Sequence, residues 1–258
     1  MLENKTKLKT ITYAGLMTAL VFVTTGVIPH IPIPFSSSSG YIHIGDSMIF
    51  IASILFGWKV GAVAGGLGSA LADIFVGAAV WALPTLFIKA VMGAVVGFMA
   101  HEGTKANNSI KNVISGLVAG LWFALGIYLY YLLERIPATE NVTQLIELAG
   151  LDSAEALESL IDRMQPVLIA TVILVPVIIV AISFVLKKKE EKLFSLNSIV
   201  GMISGGLCMT IGYYLAELFI TGNKIVPIFS VPFSFIQFIA GILIAFVVLL
   251  SLKKTKVF

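Results

Sequence analysis

The sequence predicts an all-α integral membrane protein of about eight spans with both termini inside. Three observations predict it. Apolar residues make up 58% of the 258-residue chain and charged residues only 12%, about half the share usual in a soluble domain. The charges are clustered, which leaves long runs without any. With the N-terminus inside, the inner segments hold Lys5, Lys7, Lys9, Lys59, Lys105, Lys111, Lys187, Lys188, Lys189, Lys192, Lys253, Lys254 and Lys256. The outer segments hold only Arg135, Arg163 and Lys224. That asymmetry sets orientation. A net charge of +3 is too small to point to nucleic acid. The single cysteine, Cys208, excludes an intrachain disulfide.

Span 1 covers residues 10–28. The lysines before it imitate a secretory leader, but the apolar run is long and no small-residue cleavage site follows, so the span is read as uncleaved. Gly15 and Ala19 stand four apart, a spacing that lets another helix come close. It serves either internal packing or docking of another subunit. Residues 29–40, PHIPIPFSSSSG, hold three prolines and four serines and read as a loop. Tyr41, Ile42 and His43 lead from it into Gly45-Asp46-Ser47, where Asp46 or Ser47 suits an N-cap. Asp46 is also a ligand candidate.

Span 2, residues 47–56, is short. At about 1.5 Å per residue against a core about 30 Å thick, even 42–58 barely crosses, so this segment must be buried among neighbours or sit in thinned bilayer. Span 3, residues 60–76, carries Gly61, Gly65, Gly66 and Gly68, which in a membrane mark close helix contact. Asp73 lies near its end. Span 4, residues 83–100, places Pro84 in the first helical turn and Lys89 some two turns in. Charges inside such runs are costly, about 2.5–3.5 kcal/mol each on insertion scales, and they find partners or wet cavities. Asp73 and Lys89 are the expected pair.

Residues 105–190 hold two further spans, 113–133 and 166–186, around a segment, 134–165, that is acidic overall. Leu145, Leu148, Leu157, Leu160 and Ile161 give that segment helical apolar spacing, which predicts one or two amphipathic helices on the surface. Spans 5 and 6 cover 198–220 and 231–252. A weak internal repeat relates Gly120 and Gly126 to Gly206 and Gly212, and Pro166 to Pro232. The chain therefore divides into 1–104 (spans 1–4), 105–190 (the inserted pair) and 191–258 (spans 5 and 6), all within one membrane domain.

The orientation gathers the odd residues on one side. Tyr41, His43, Asp46, Asp73, Trp81, Lys89, Tyr213, Tyr214, Glu217 and Gln237 all fall at or toward the outer face. A polar pocket open to the outside is the economical explanation, and its groups suit a small, flat, polar heterocycle. Nothing points to a metal or a catalytic centre. His30, His43 and His101 lie outside the spans, H-E-x-x-H is missing, and only Ser36–Ser39 with His30 give a conceivable Ser–His pair. A chain without G-x-x-x-x-G-K-[ST] has no phosphate loop to power transport itself. A standalone secondary transporter is the main alternative, with Asp73 and Lys89 serving proton coupling.

The ordered set YIHIGDSMIFIASILFGWKVGAVAGGLGSALADI, PTLFIKAVMGAVVG, GYYLAE and VPFSFIQFIAGILIA resembles the S components of energy-coupling factor transporters, the vitamin-binding subunits of bacterial and archaeal ABC importers. The resemblance covers spans 1–6 and leaves out about 105–190. It implies a six-helix bundle, here with an inserted helix pair. It implies substrate capture at the outer side by the loop after span 1 and the later helices. It also implies partners: a transmembrane T component and two cytoplasmic ATPases that use ATP, so that this chain needs no cofactor. In the family, small residues at four-residue spacing in span 1 meet the T component, and Gly15 and Ala19 match that spacing. The substrate class it implies is a pyridine or pyrimidine vitamin or a precursor.

Overall fold

The computed structural model describes residues 2–32, 41–101, 105–135, 142–148, 150–186 and 196–254. They form nine helices: α1 (Leu2–Phe22), α2 (Gly45–Phe56), α3 (Trp58–Phe75), α4 (Ala79–His101), α5 (Lys105–Arg135), α6 (Val142–Leu148), α7 (Ala154–Leu186), α8 (Leu196–Thr221) and α9 (Val231–Lys254). A π-turn, Val23–Val27, ends α1, and a 3-10 turn, Val226–Ser230, leads into α9. Two short antiparallel strands, β1 (Ile31–Pro32) and β2 (Tyr41–Ile42), pair Ile31 with Ile42 and Pro32 with Tyr41. Among the described residues five helical stretches, against the eight spans expected, are long and apolar enough to cross a membrane: 7–27, 79–101, 116–135, 197–221 and 226–252.

The short second span behaves as its length requires. From Gly45 to Ile54 all of α2 except Met48 is buried, enclosed by α1, α3, α4 and α9. Its backbone polar groups bond within the helix, so it needs no more length than the bundle gives it. Positive φ at Gly57 (87°) and Gly77 (85°) allows the chain to reverse between α2 and α3 and between α3 and α4.

Most glycines of α3 are explained by α4, its most extensive neighbour, whereas Gly68 makes room for Thr18 and Val21 of α1. A methyl on Gly65 would sit 2.7 Å from the Lys89 carbonyl, and one on Gly66 2.7 Å from the Leu86 carbonyl. A methyl on Gly93 would overlap the Gly61 carbonyl, and one on Gly97 would overlap the Trp58 backbone. The two helices therefore touch backbone to backbone. The Ser53 hydroxyl fastens the seam to α2 by donating to the carbonyls of Ile49 (2.8 Å) and Gly93 (3.0 Å).

Several boundaries differ from expectation. Pro84 is the sixth residue of α4, because the helix already starts at Ala79. The amphipathic segment is not a separate surface layer either. The α7 helix runs unbroken from Ala154 through Pro166 to Leu186, and Leu145, Leu157, Leu160 and Ile161 are buried in the same core as Leu129 and Leu133 of α5. The polar faces of α6 and early α7 remain outside. Pro232 stands at the second residue of α9, so the two prolines of the sequence repeat occupy different helical positions.

Gly93→Val tests the seam. Forced overlap in a filled core typically costs about 1–3 kcal/mol. The variant is expected to unfold at lower temperature in detergent, whereas Gly15→Leu, on an open face, should unfold like the parent.

Candidate functional site

The apolar bundle buries a compact polar group where β2, the start of α2, the end of α3 and turns of α4, α8 and α9 meet. Its base is an ion pair between Lys89 and Asp46, both fully buried. Lys89 also directs Nζ at Met209 Sδ, 2.8 Å away, and lies 5.4 Å from the centre of the Tyr213 ring. Gln237 Nε2 donates to the second oxygen of Asp46 at 3.0 Å, and Gln237 Oε1 accepts from the backbone N–H of His43 at 3.4 Å. This network closes on itself. The ammonium has three neighbours, and both Asp46 oxygens are used.

His43 belongs to the base. Its Nδ1 accepts from the Gly45 N–H at 3.1 Å, which leaves the ring proton on Nε2. Burial, and then the charge of Lys89, hold the imidazole neutral, with its pKa lowered to about 3.

Above the base the groups are less complete. Tyr41 donates to Asp73 Oδ1 at 2.7 Å, but the buried Asp73 Oδ2 has no partner. The Tyr213 and Thr85 hydroxyls share a hydrogen bond of 3.2 Å. Trp81 stands edge-on to Tyr213 with ring centres 5.8 Å apart. Tyr41 lies between His30 and His43, at 4.7 and 5.5 Å. The buried hydroxyls of Ser69, one turn before Asp73 on α3, and of Thr25, against Gly45, also lack partners. Buried polar atoms rarely stay unpaired in a finished interior. Here two of them, Ser69 Oγ and Asp73 Oδ2, stand one turn apart on α3 beside a saturated network, an arrangement open to a hydrogen-bonding ligand, while Trp122 Nε1 on α5 is a further unpaired buried atom among the described residues.

Eight of the ten expected site residues thus come together: Tyr41, His43, Asp46, Asp73, Trp81, Lys89, Tyr213 and Gln237. Their expected pairing needs two corrections. Lys89 pairs with Asp46 and not with Asp73, because the start of α2 is enclosed beside α4 while Asp73 faces Tyr41. Asp46 does not cap α2. It lies inside the first turn, Ile44 holds the cap position without a side-chain bond, and the carboxylate is spent on Lys89. Tyr214 turns away and donates to the Lys224 carbonyl at 3.1 Å, holding the turn after α8. Glu217 is buried one turn beyond Tyr213 on α8.

Sequence reasoning missed Thr85, Met209, Ser69 and Thr25. Three of them stand four residues before a named one (Thr85 before Lys89, Met209 before Tyr213, Ser69 before Asp73), so helical spacing was a usable signal. Among the described residues, α8 and α9 contribute Met209, Tyr213 and Gln237, while α5 and α7 contribute nothing to this group. Gly15 and Ala19 lie exposed on α1, and a methyl on Gly15 would meet nothing within 4 Å. Among the described residues no group of three or more His, Cys, Asp or Glu gathers to hold a metal.

The base makes a prediction about stability. Lys89→Met strands a buried carboxylate, which typically costs about 3–5 kcal/mol, so the variant should lose much of its thermal stability in detergent. Adding Asp46→Asn should restore most of it. A double variant as unstable as the single one would rule out the pair as the cause.

A family model described as ECF-type riboflavin transporter, S component, matches residues 5–175. A curated protein of Pyrococcus woesei, described as an uncharacterized protein in gap 3'region, is 42% identical over 112 residues, which are 43% of this chain and 73% of that protein. No solved structure matches the chain at a significant level.

Proposed function

The chain belongs to the ECF-type riboflavin transporter S component family, and we propose on that premise that it is the membrane-embedded substrate-binding subunit of an ATP-driven importer. It captures a small vitamin or vitamin precursor at the outer side of the cell membrane of a bacterium or archaeon. A transmembrane T component and two cytoplasmic ATPases do the work, and this chain holds no cofactor. The observation that carries the reading is the buried, partly unpaired polar group at one end of an otherwise apolar bundle. Polar groups are retained at such depth where they meet a ligand or each other, and here the pairing stops short on one side.

The ligand lies against Tyr41, Asp73, Trp81 and Tyr213, with the Lys89–Asp46 network as its floor. Aromatic walls and a few fixed polar groups suit a flat heterocycle. Riboflavin, named in the family's description, and pyridine or pyrimidine compounds are the candidates. The positive-inside bias of the loops supports an outward position for this end of the bundle. The bare surface of α1 at Gly15 and Ala19 is where the T component docks.

Two measurements test the reading together. Co-expressed with T and ATPase subunits, the protein should support ATP-dependent uptake of the molecule that co-purifies with it. Gly15→Leu or Ala19→Leu should abolish that uptake while ligand affinity in purified protein stays within about twofold, because bulk there blocks helix approach far from the pocket. Uptake driven by an ion gradient without ATPases would overturn the proposal.

A further inference from the structure

We propose that His43 is a fixed hydrogen-bond donor to the solute, its Nε2–H meeting an acceptor, a carbonyl oxygen or ring nitrogen, in the plane of a neutral flat heterocycle of the flavin kind. The inference rests on the reading of the site as a solute pocket and adds the group that reads the solute's edge.

The tautomer carries it. Gly45 opens α2, so its N–H has no partner within the helix. That N–H donates to His43 Nδ1 at 3.1 Å. A backbone N–H can only donate, so Nδ1 can only accept, and the ring proton stands on Nε2. The approach is tight enough to require glycine at 45. A methyl there would sit 2.9 Å from Nδ1 and would overlap the Thr25 hydroxyl.

The ring is held from behind as well. The His43 backbone N–H donates to Gln237 Oε1 at 3.4 Å, and Gln237 is tied in turn to Asp46. Tyr41 packs against the ring with centres 5.5 Å apart. Protonation would set a second N–H against Gly45 and a second cation beside Lys89. Burial first, then Lys89, keep the imidazole neutral with a pKa of about 3, against the opposite pull of Asp46 and with a smaller push from His30.

Every other donor of the base is spent. Lys89 is engaged by Asp46, Met209 and the face of Tyr213, and Gln237 Nε2 serves Asp46. On the wall, Tyr41 donates to Asp73, and the Tyr213 and Thr85 hydroxyls share one bond. Among the described residues no acceptor takes the His43 Nε2 proton. His43 keeps 9% of its surface open, whereas Lys89 and Asp46 beneath it keep none. A nearly buried donor without a partner is costly, and an acceptor on the occupant removes that cost. A solute edge that offers an N–H at this point meets N–H against N–H and is rejected.

Purified full-length protein tests this with riboflavin as the probe, read by flavin fluorescence. In His43→Asn the side-chain oxygen can still take the Gly45 N–H, but nothing reaches the Nε2 position. In His43→Gln the amide N–H reaches it. His43→Asn should unfold like the parent and lose about tenfold or more in affinity, as a stranded hydrogen-bond partner does. His43→Gln should recover most of that loss. Parent affinity in His43→Asn overturns the proposal, and so does a His43→Gln that unfolds like the parent yet binds no better than His43→Asn. Nitrogen-15 NMR of the parent, assigned with His30→Asn and His101→Asn, tests it even where the His43 variants fail to fold. His43 should show the Nε2–H tautomer across about pH 5–8, and its Nε2 proton should move downfield when riboflavin is added. An Nδ1–H tautomer or an unmoved proton overturns the proposal. A parent that leaves riboflavin unbound overturns it too, while ATP-dependent uptake of another co-purifying molecule would leave the importer reading standing. Riboflavin held by His43 without any ATP-dependent uptake would remove the importer reading and leave this one.

Discussion

The structure depends on one ion pair. Lys89 and Asp46 sit at zero exposure in a bundle made of leucine, valine, glycine and aromatic rings. Each charge alone would be prohibitive there, and together they fix which elements can be neighbours. Asp46 brings the first turn of α2 to α4. The Met209 sulfur and the Tyr213 ring bring α8, and Gln237 brings α9. Four helices that are far apart in sequence are thereby held in one register by groups that have no other acceptable partner. Apolar packing alone gives lipid-embedded helices little reason to choose one register over another, since lipid tails are as apolar as leucine.

Below that pair the constraint is steric rather than electrostatic. Gly61, Gly65, Gly66, Gly93 and Gly97 bring the α3 and α4 backbones into contact. Along one face of α3 the sequence at four-residue steps reads Gly61, Gly65, Ser69, Asp73. The first two positions have no room for a side chain. The last two carry buried polar atoms without partners. The same helical face thus passes from a sealed seam to an unfinished polar wall within three turns.

Much of this was legible in the sequence because the membrane makes the signals strong. Apolar runs gave the helices, and the scarcity of charge made Asp46, Asp73 and Lys89 conspicuous. The shortness of residues 47–56 correctly implied burial of α2. Partner choice was not legible. Asp73 and Lys89 looked like a pair because both interrupt apolar runs, but pairing depends on how deep each helix sits, and sequence spacing does not carry that depth. The capping signature at Asp46 misled for a related reason. A carboxylate in a first turn normally serves the backbone, and here a buried lysine outweighs that role. Thr85 and Met209 are ordinary residues in apolar helices, and only their four-residue offset from Lys89 and Tyr213 marks them. Likewise, the leucines of the acidic segment announced an amphipathic helix but not its continuity with the next span, because a proline at 166 normally signals a break.

That continuity has an electrical side. A helix of 33 residues is about 50 Å long, well over the roughly 30 Å of a bilayer's hydrocarbon core. Its first turns carry Glu155, Glu158 and Asp162 against Arg163, and the sequence before it adds Glu134, Glu140, Glu147 and Asp152 against Arg135. A segment with this negative excess enriches positively charged molecules near it and depletes negative ones before any contact is made. It acts on arrival rate rather than on residence, and it reaches only about 8 Å through physiological salt. The approach of a positively charged molecule to this segment therefore slows as ionic strength rises.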